Sequence, residues 1–172
     1  SPRISATGSG VRAAAADVWP WIVQLGQGRG GFYSYDRLES MFGADIHNAD
    51  TIVSDWQRLN VGDEVALAPA MALEVVRVDP GRAVVLHGGV PLGTAPPPFD
   101  FTWAFVLADQ PDGSTRLVVR ERYAYVRWWA ALMVEPTAVV SFVMSQRMLR
   151  GIKERAERTA GVDVAASRQL DA

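Results

Sequence analysis

Carboxylates, imidazoles, phenols and guanidiniums are the side chains in this sequence best able to do chemistry, and the candidate groupings of them fall in three places. The first is Arg29, Tyr33, Tyr35 and Asp36, a polar group inside an otherwise apolar stretch. A guanidinium such as Arg29 clamps a carboxylate or phosphate. The Tyr33 and Tyr35 phenols can donate to a carbonyl or an enolate oxygen. The structural alternative is that Asp36 pairs with Arg29 or caps a short helix.

The second place is His47 and Asp50, three residues apart, with His87 the other of the 2 histidines. One helical turn would put His47 and Asp50 on a common face, where a His–Asp pair serves as a general base. Two ligands are too few for a metal site, which takes three or four. The third place is Arg120, Glu121 and Arg122, with Glu74 in the same strand-rich region. Alternation puts Glu121 on the face of Val119, Tyr123 and Tyr125, the more apolar one, and so points it inward. A buried carboxylate there either orients a ligand, acts as a base, or is neutralised by an arginine such as Arg29.

The run Gly26-Gln27-Gly28-Arg29-Gly30-Gly31 has the GxGxxG spacing of a dinucleotide site. Such a site needs a strand before it and a helix after it within a βαβ unit, and here a helix comes before it and no parallel crossover follows. These glycines instead allow backbone to approach a sheet or ligand closely, or expose N–H groups to an anion. No cofactor and no metal is expected.

The elements that must hold these residues follow from period. Ser5–Arg12 reads as a weak strand. Ala13–Leu25 reads as a helix with Val18, Trp19, Ile22 and Leu25 on one side. Pro20 implies a late start near Ala16–Asp17, or a kink. Ser34 or Tyr35 opens a short helix to Phe42. Residues 44–60 read as loop with one helical turn capped by Asn48 or Asp50. Period two then marks strands at Glu64–Ala68, Leu73–Val78, Ala83–His87, Phe101–Ala108 and Thr115–Val126, with a turn at Pro80-Gly81. A long helix opens with Pro136 in its first turn and ends near Gly161. Trp103, Phe105 and Tyr123 on the strands, with Phe142, Gln146, Met144 and Met148 on the helix, are candidate pocket residues. The strands pair as an antiparallel meander, and the long helix covers one face. A cavity between sheet and helix is the natural place for a ligand.

Composition narrows the function. The 172 residues fit one domain, 1–161, followed by a tail, 162–172. With 49% hydrophobic and 21% charged residues the chain is ordinary globular protein. It has 0 cysteines, which removes disulfides, thiolate metal sites and thiol catalysis. A net charge of −2 gives no basic footprint for nucleic acid. The most lipid-like stretch, Trp128–Val143, carries Glu135 and Pro136 at its middle, which opposes insertion as a membrane span. Trp128 and Trp129 can still touch a membrane surface or a protein partner. The first residues, SPRISATGSG, contain no initiator methionine and no apolar signal core. The cytoplasm is favoured, with a signal or anchor ahead of Ser1 left open.

The sequence resembles the START-related SRPBCC superfamily, and more closely a bacterial polyketide-cyclase-like branch of it. The strings carrying the resemblance are VWPWIVQLGQGRGGFYSYDRLE (Val18–Glu39), ADIHNAD (Ala44–Asp50), GDEVALAP (Gly62–Pro69), TWAFVL (Thr102–Leu107), LVVRERY, WWAALMVEP and FVMSQRMLRGIKERAE. The resemblance implies an α+β helix-grip fold, a curved antiparallel sheet wrapped around a long C-terminal helix with two short helices after the first strand. It also implies binding or carriage of a small hydrophobic ligand, a lipid or polyketide-like molecule. A cyclase-like enzyme with Glu121 or His47 as base, or a non-catalytic interaction module, are the alternatives.

Overall fold

The computed structural model describes residues 2–33, 48–68, 71–89, 99–125 and 129–170. The described strands form a six-stranded antiparallel sheet in the order β1-β6-β5-β4-β3-β2. They are β1 (Arg3–Val11), β2 (Glu64–Ala68), β3 (Met71–Asp79), β4 (Ala83–Gly88), β5 (Phe99–Asp109) and β6 (Thr115–Tyr125). Strands β2 to β6 are a meander, as their short connections require, and β1 closes on β6 at the far edge. Tight turns sit at Gly81 and Gly113, whose φ values of 76° and 81° suit glycine. Asp112 fastens the second turn by accepting from Ser114 N and Oγ.

Alternation builds the core. Leu73 and Val75, Val84 and Leu86, Trp103, Phe105 and Leu107, and Leu117 and Val119 all point to one buried face. Helix α1 (Ala15–Val23) and helix α2 (Ala130–Leu170) cover it. On α2 the buried positions Ser145, Met148, Leu149, Ile152 and Ala156 trace a single stripe at helical spacing. This is a helix-grip architecture, a curved sheet against a long C-terminal helix.

The helices differ from expectation in their bounds. Pro20 lies inside α1 rather than in its first turn. It has no N–H to give, and the neighbouring turn is secured from outside, where Gln57 Nε2 donates to Pro20 O at 3.1 Å. Helix α2 begins six residues before Pro136 and runs past Gly161 to Leu170. Gly161 lacks the positive φ of a helix-ending glycine, so the helix continues. Residues 161–170 are exposed along their length. The helical turn expected within 44–60 is Ser54–Trp56, preceded by Val53 with no side-chain cap. Asn48 and Asp50 have other partners. The helix expected from Ser34 or Tyr35 to Phe42 lies outside the described residues.

Candidate functional site

The glycine-rich segment lies against the C-terminal end of α1. Gly26 and Gly31 exchange backbone hydrogen bonds at 3.0 Å in each direction. Gly30 N donates to Gln24 O, Arg29 N to Gly26 O, and Gln27 N to Ala66 O on β2. These N–H groups therefore close the loop on itself and tie it to the sheet. A side chain at Gly30 would press on Gln24 and on the Tyr33 hydroxyl, so close approach explains this glycine.

Arg29 sits inside this loop. Its Nη2 donates to Val23 O at 2.9 Å and Trp56 O at 2.7 Å. Burial lowers its pKa, against the pull of Asp63. Tyr33, 1% exposed, donates its hydroxyl to Trp21 O at 3.0 Å, and its ring meets that of Trp21 edge-on. Two carbonyls at the end of α1 that have no partner within the helix are thus matched by side chains from the loop. Arg155 of α2 lies 4.7 Å from the Tyr33 ring centroid and donates to Ala49 O and Asp50 Oδ1. Asp50 is therefore an ion-pair partner of the long helix. Its expected companion His47 lies outside the described residues, as does Tyr35. His87 is exposed on β4, in register with Glu74 and Thr102.

The third group comes together on the inner face of the sheet. Glu121 is 5% exposed and accepts a 2.7 Å hydrogen bond from Ser145 Oγ on α2. The Tyr123 hydroxyl stands 3.4 Å from the other carboxylate oxygen. Directly across from Glu121 in register is Trp103 on β5, whose buried indole N–H has no hydrogen-bond partner among the described residues. Aromatic rings surround this polar spot. Trp103 and Phe105 have centroids 4.8 Å apart, and Phe101 and Tyr123 4.9 Å. Phe32, carried in by the glycine loop, stands 5.9 Å from Trp103. Gln146 and Met144 are half-buried on α2, and Met148 belongs to the core. The side chain of Phe142 lies outside the described residues.

So the structure brings Glu121, Tyr123, Trp103 and Phe105 into one cluster, and it places Arg29 and Tyr33 in the lock at the end of α1. Sequence reasoning missed Ser145, Phe32 and Phe101. A signal existed for Ser145: a hydroxyl three residues before Met148, on the buried stripe of a helix, needs a polar partner on whatever it packs against. It also missed Gln24, fully buried, which donates to Thr51 O and accepts from Val53 N and Gln57 Nε2.

A cleft of about 560 Å3 lies elsewhere, between β1 and the β5–β6 turn, lined by Gly8, Gly10, Gln110, Asp112 and Arg116 among others. It shares no residue with the Glu121 cluster. Among the described residues no group of three or more His, Asp or Glu side chains is arranged to hold a metal ion. Trp129 is half-buried, and Trp128 lies outside the described residues. Among the described residues no helix is long and apolar enough to cross a membrane.

No family model and no curated protein matches this chain. Solved structures do match it in fold. Norcoclaurine synthase of Thalictrum flavum, a point mutant bound to a transition-state analogue, aligns with a TM-score of 0.53 and 15% identity over 92% of this chain and 96% of that one. Protein CV1439 of Chromobacterium violaceum aligns at 0.51 and 12% identity over 90% and 96%. Protein MLL2253 of Mesorhizobium loti aligns at 0.50 and 13% over 91% and 98%. Identities this low carry the fold and nothing finer.

Proposed function

Taking the helix-grip fold of the START-like superfamily as premise, we propose that this protein binds or carries a small apolar or amphipathic molecule, a lipid or polyketide-like compound, between the inner sheet face and α2. Glu121, Tyr123 and Trp103 fix its polar end, and Phe32, Phe101 and Phe105 contact its apolar part. The observation carrying this reading is a buried carboxylate, hydrogen-bonded from the helix, inside a wall of aromatic rings. A core built for stability alone gains little from a charge there, because burying a carboxylate is costly even when it is matched. Residues 1–161 form the binding body in this reading, with 162–172 an appendage to it.

Native mass spectrometry of gently purified protein, followed by solvent extraction, tests the proposal. The expected result is a stoichiometric apolar adduct that is lost or weakened in Glu121→Gln. Absence of binding to any member of a lipid and polyketide-like panel would overturn it.

A second reading, acid–base catalysis on an oxygenated polyketide-like substrate, draws on the Tyr123 hydroxyl beside the Glu121 carboxylate. Glu121 would take the proton from a carbon next to a ketone, and Tyr123 would steady the enolate oxygen. Turnover of such a compound by the wild type and its loss in Glu121→Gln would favour this reading over simple carriage.

A further inference from the structure

The outer face of the sheet carries a line of arginines. Alternation along β6 puts Arg116, Arg120 and Arg122 on the side away from the core, and all three are exposed. Among the described residues none of their guanidiniums enters an ion pair or a hydrogen bond. Register explains why. Directly opposite them stand Gly10, Ala6 and Ile4 on β1, and Ala108, Ala104 and Thr102 on β5. None of these six is a carboxylate. Three like charges thus share one line, on a chain whose net charge is −2, with no opposite charge directly across from them.

The strand beside this line is low. Gly8 and Gly10 lie inside β1, and neither has the positive φ that calls for glycine. A Cβ at Gly10 would meet nothing within 4 Å, and one at Gly8 would make only ordinary contacts. Strand glycines weaken a strand, and they often mark the close approach of a ligand or another backbone. Both glycines line the cleft of about 560 Å3, together with Arg116. The Arg116 guanidinium leans over β1, its Nη2 3.7 Å from where a Gly8 Cβ would stand.

We infer that this trough along β1 and β6 docks an acidic segment of a partner protein, bound extended with its carboxylates on Arg116, Arg120 and Arg122. The inference is independent of what the inner face holds. Charge complementarity selects the acid. Spacing selects the extended form, because side chains on one face of a strand recur every two residues, about 6.7 Å. Arg120 and Arg122 are one such repeat apart, and Arg116 lies two repeats before Arg120. An extended peptide has the same repeat, so acids at i, i+4 and i+6 can meet all three. The glycines let its backbone come down beside the arginines. A bilayer surface fits less well, since Ala6, Gly8 and Gly10 offer no side chain to insert into it. Carboxylates mark both ends of the line. Asp112 lines the cleft with Arg116, and Asp100 lies one row beyond Arg122 on the same face. The acidic run is therefore about as long as the span from Arg116 to Arg122, with uncharged or basic residues beyond it.

The probe is a fluorescein-labelled peptide, Thr-Glu-Thr-Thr-Thr-Glu-Thr-Glu-Thr, compared with its all-glutamine counterpart by anisotropy at low salt. The glutamate peptide is expected to bind, to weaken as salt is raised, and to shift the Gly8 and Gly10 amide signals in nitrogen–proton correlation spectra. The double variant Arg120→Gln with Arg122→Gln should weaken it about threefold or more. Gly10→Val should fill the trough and abolish binding without lowering the melting temperature, since its side chain starts in open space and valine suits a strand. Equal binding of the glutamine peptide, or shifts confined to other amides, overturns the inference. So does capture of vesicles containing phosphatidylserine by a protein that ignores the peptide, which would make the face a membrane surface. The amide shifts are read on the wild type, so a variant that failed to fold would not block the test.

Discussion

Ser145 on α2 and Glu121 on β6 are joined by a 2.7 Å hydrogen bond, the hydroxyl donating to Oε1. The bond crosses from helix to sheet, and both residues are buried. It therefore fixes how the helix sits on the inner face, as well as shielding the carboxylate. A hydrogen bond to a charged acceptor is worth about 1.5–3 kcal/mol. Ser145→Ala is expected to lower stability by about that amount in urea unfolding. Glu121→Gln keeps an acceptor for Ser145 and is expected to cost less. A double-mutant cycle with Ser145→Ala and Glu121→Ala checks the contact directly. A coupling energy near zero would mean that the helix does not seat Ser145 on the sheet in solution.

Tyr33 gives the fold a pH dependence of known sign. Burial, first of all, raises its pKa above the ordinary value, while Gln24, Arg155 and Arg29 pull the other way without offsetting it. The native state thus holds the phenolic proton after the unfolded chain, titrating near pH 10, has lost it. The unfolded state then binds fewer protons than the native state, so stability falls as pH rises. The contribution is complete below about pH 10 and is lost progressively above it, at no more than about 1.4 kcal/mol per pH unit. Urea midpoints measured from about pH 8 to pH 11 should show this decline in the wild type and a shallower one in Tyr33→Phe. The substitution should also cost about 1–3 kcal/mol at neutral pH, because Trp21 O loses its partner. Parallel alkaline declines in the two proteins would show that the phenol is not held as described.

Much of this architecture was legible because period two is a local signal. The strands Glu64–Ala68 and Ala83–Gly88 start where alternation begins, and Glu121 is inward because Val119 and Tyr123 are. Helix bounds were less legible. Pro20 and Gly161 read as punctuation, yet the first helix runs through Pro20, whose own carbonyl accepts from Gln57, and the second runs through Gly161, which does not take the left-handed region. The roles of Arg29 and Tyr33 were hidden for a different reason. A polar cluster in an apolar stretch reads as a ligand clamp or as a structural set in which Asp36 pairs with Arg29 or caps a short helix. The choice depends on the carbonyls of Val23, Trp56 and Trp21, backbone groups that carry no sequence signature. Ser145 and Glu121 are 24 residues apart and on different elements, so neither residue type announces the other.

Two glycines of α2 should respond oppositely to the same substitution. A Cβ at Gly151 would collide with the Tyr33 carbonyl oxygen and come within 2.5 Å of Tyr33 Cβ, because the loop lies directly on the helix there. A Cβ at Gly161 would meet nothing within 4 Å. Glycine inside a helix ordinarily costs about 0.5–1 kcal/mol relative to alanine. Gly161→Ala should therefore raise helicity and leave the melting temperature unchanged or slightly higher. Gly151→Ala should lose about 1–3 kcal/mol or more, since a helix backbone and a loop backbone must separate to admit the methyl. Tyr33 cannot retreat alone. Its neighbour Phe32 packs on Trp103, so the displacement reaches the face where the Glu121 cluster lies. Weaker ligand binding in Gly151→Ala, alongside normal binding in Gly161→Ala, is the expected outcome by thermal melts and calorimetry. A rise in melting temperature for both would mean that the glycine loop does not rest on α2.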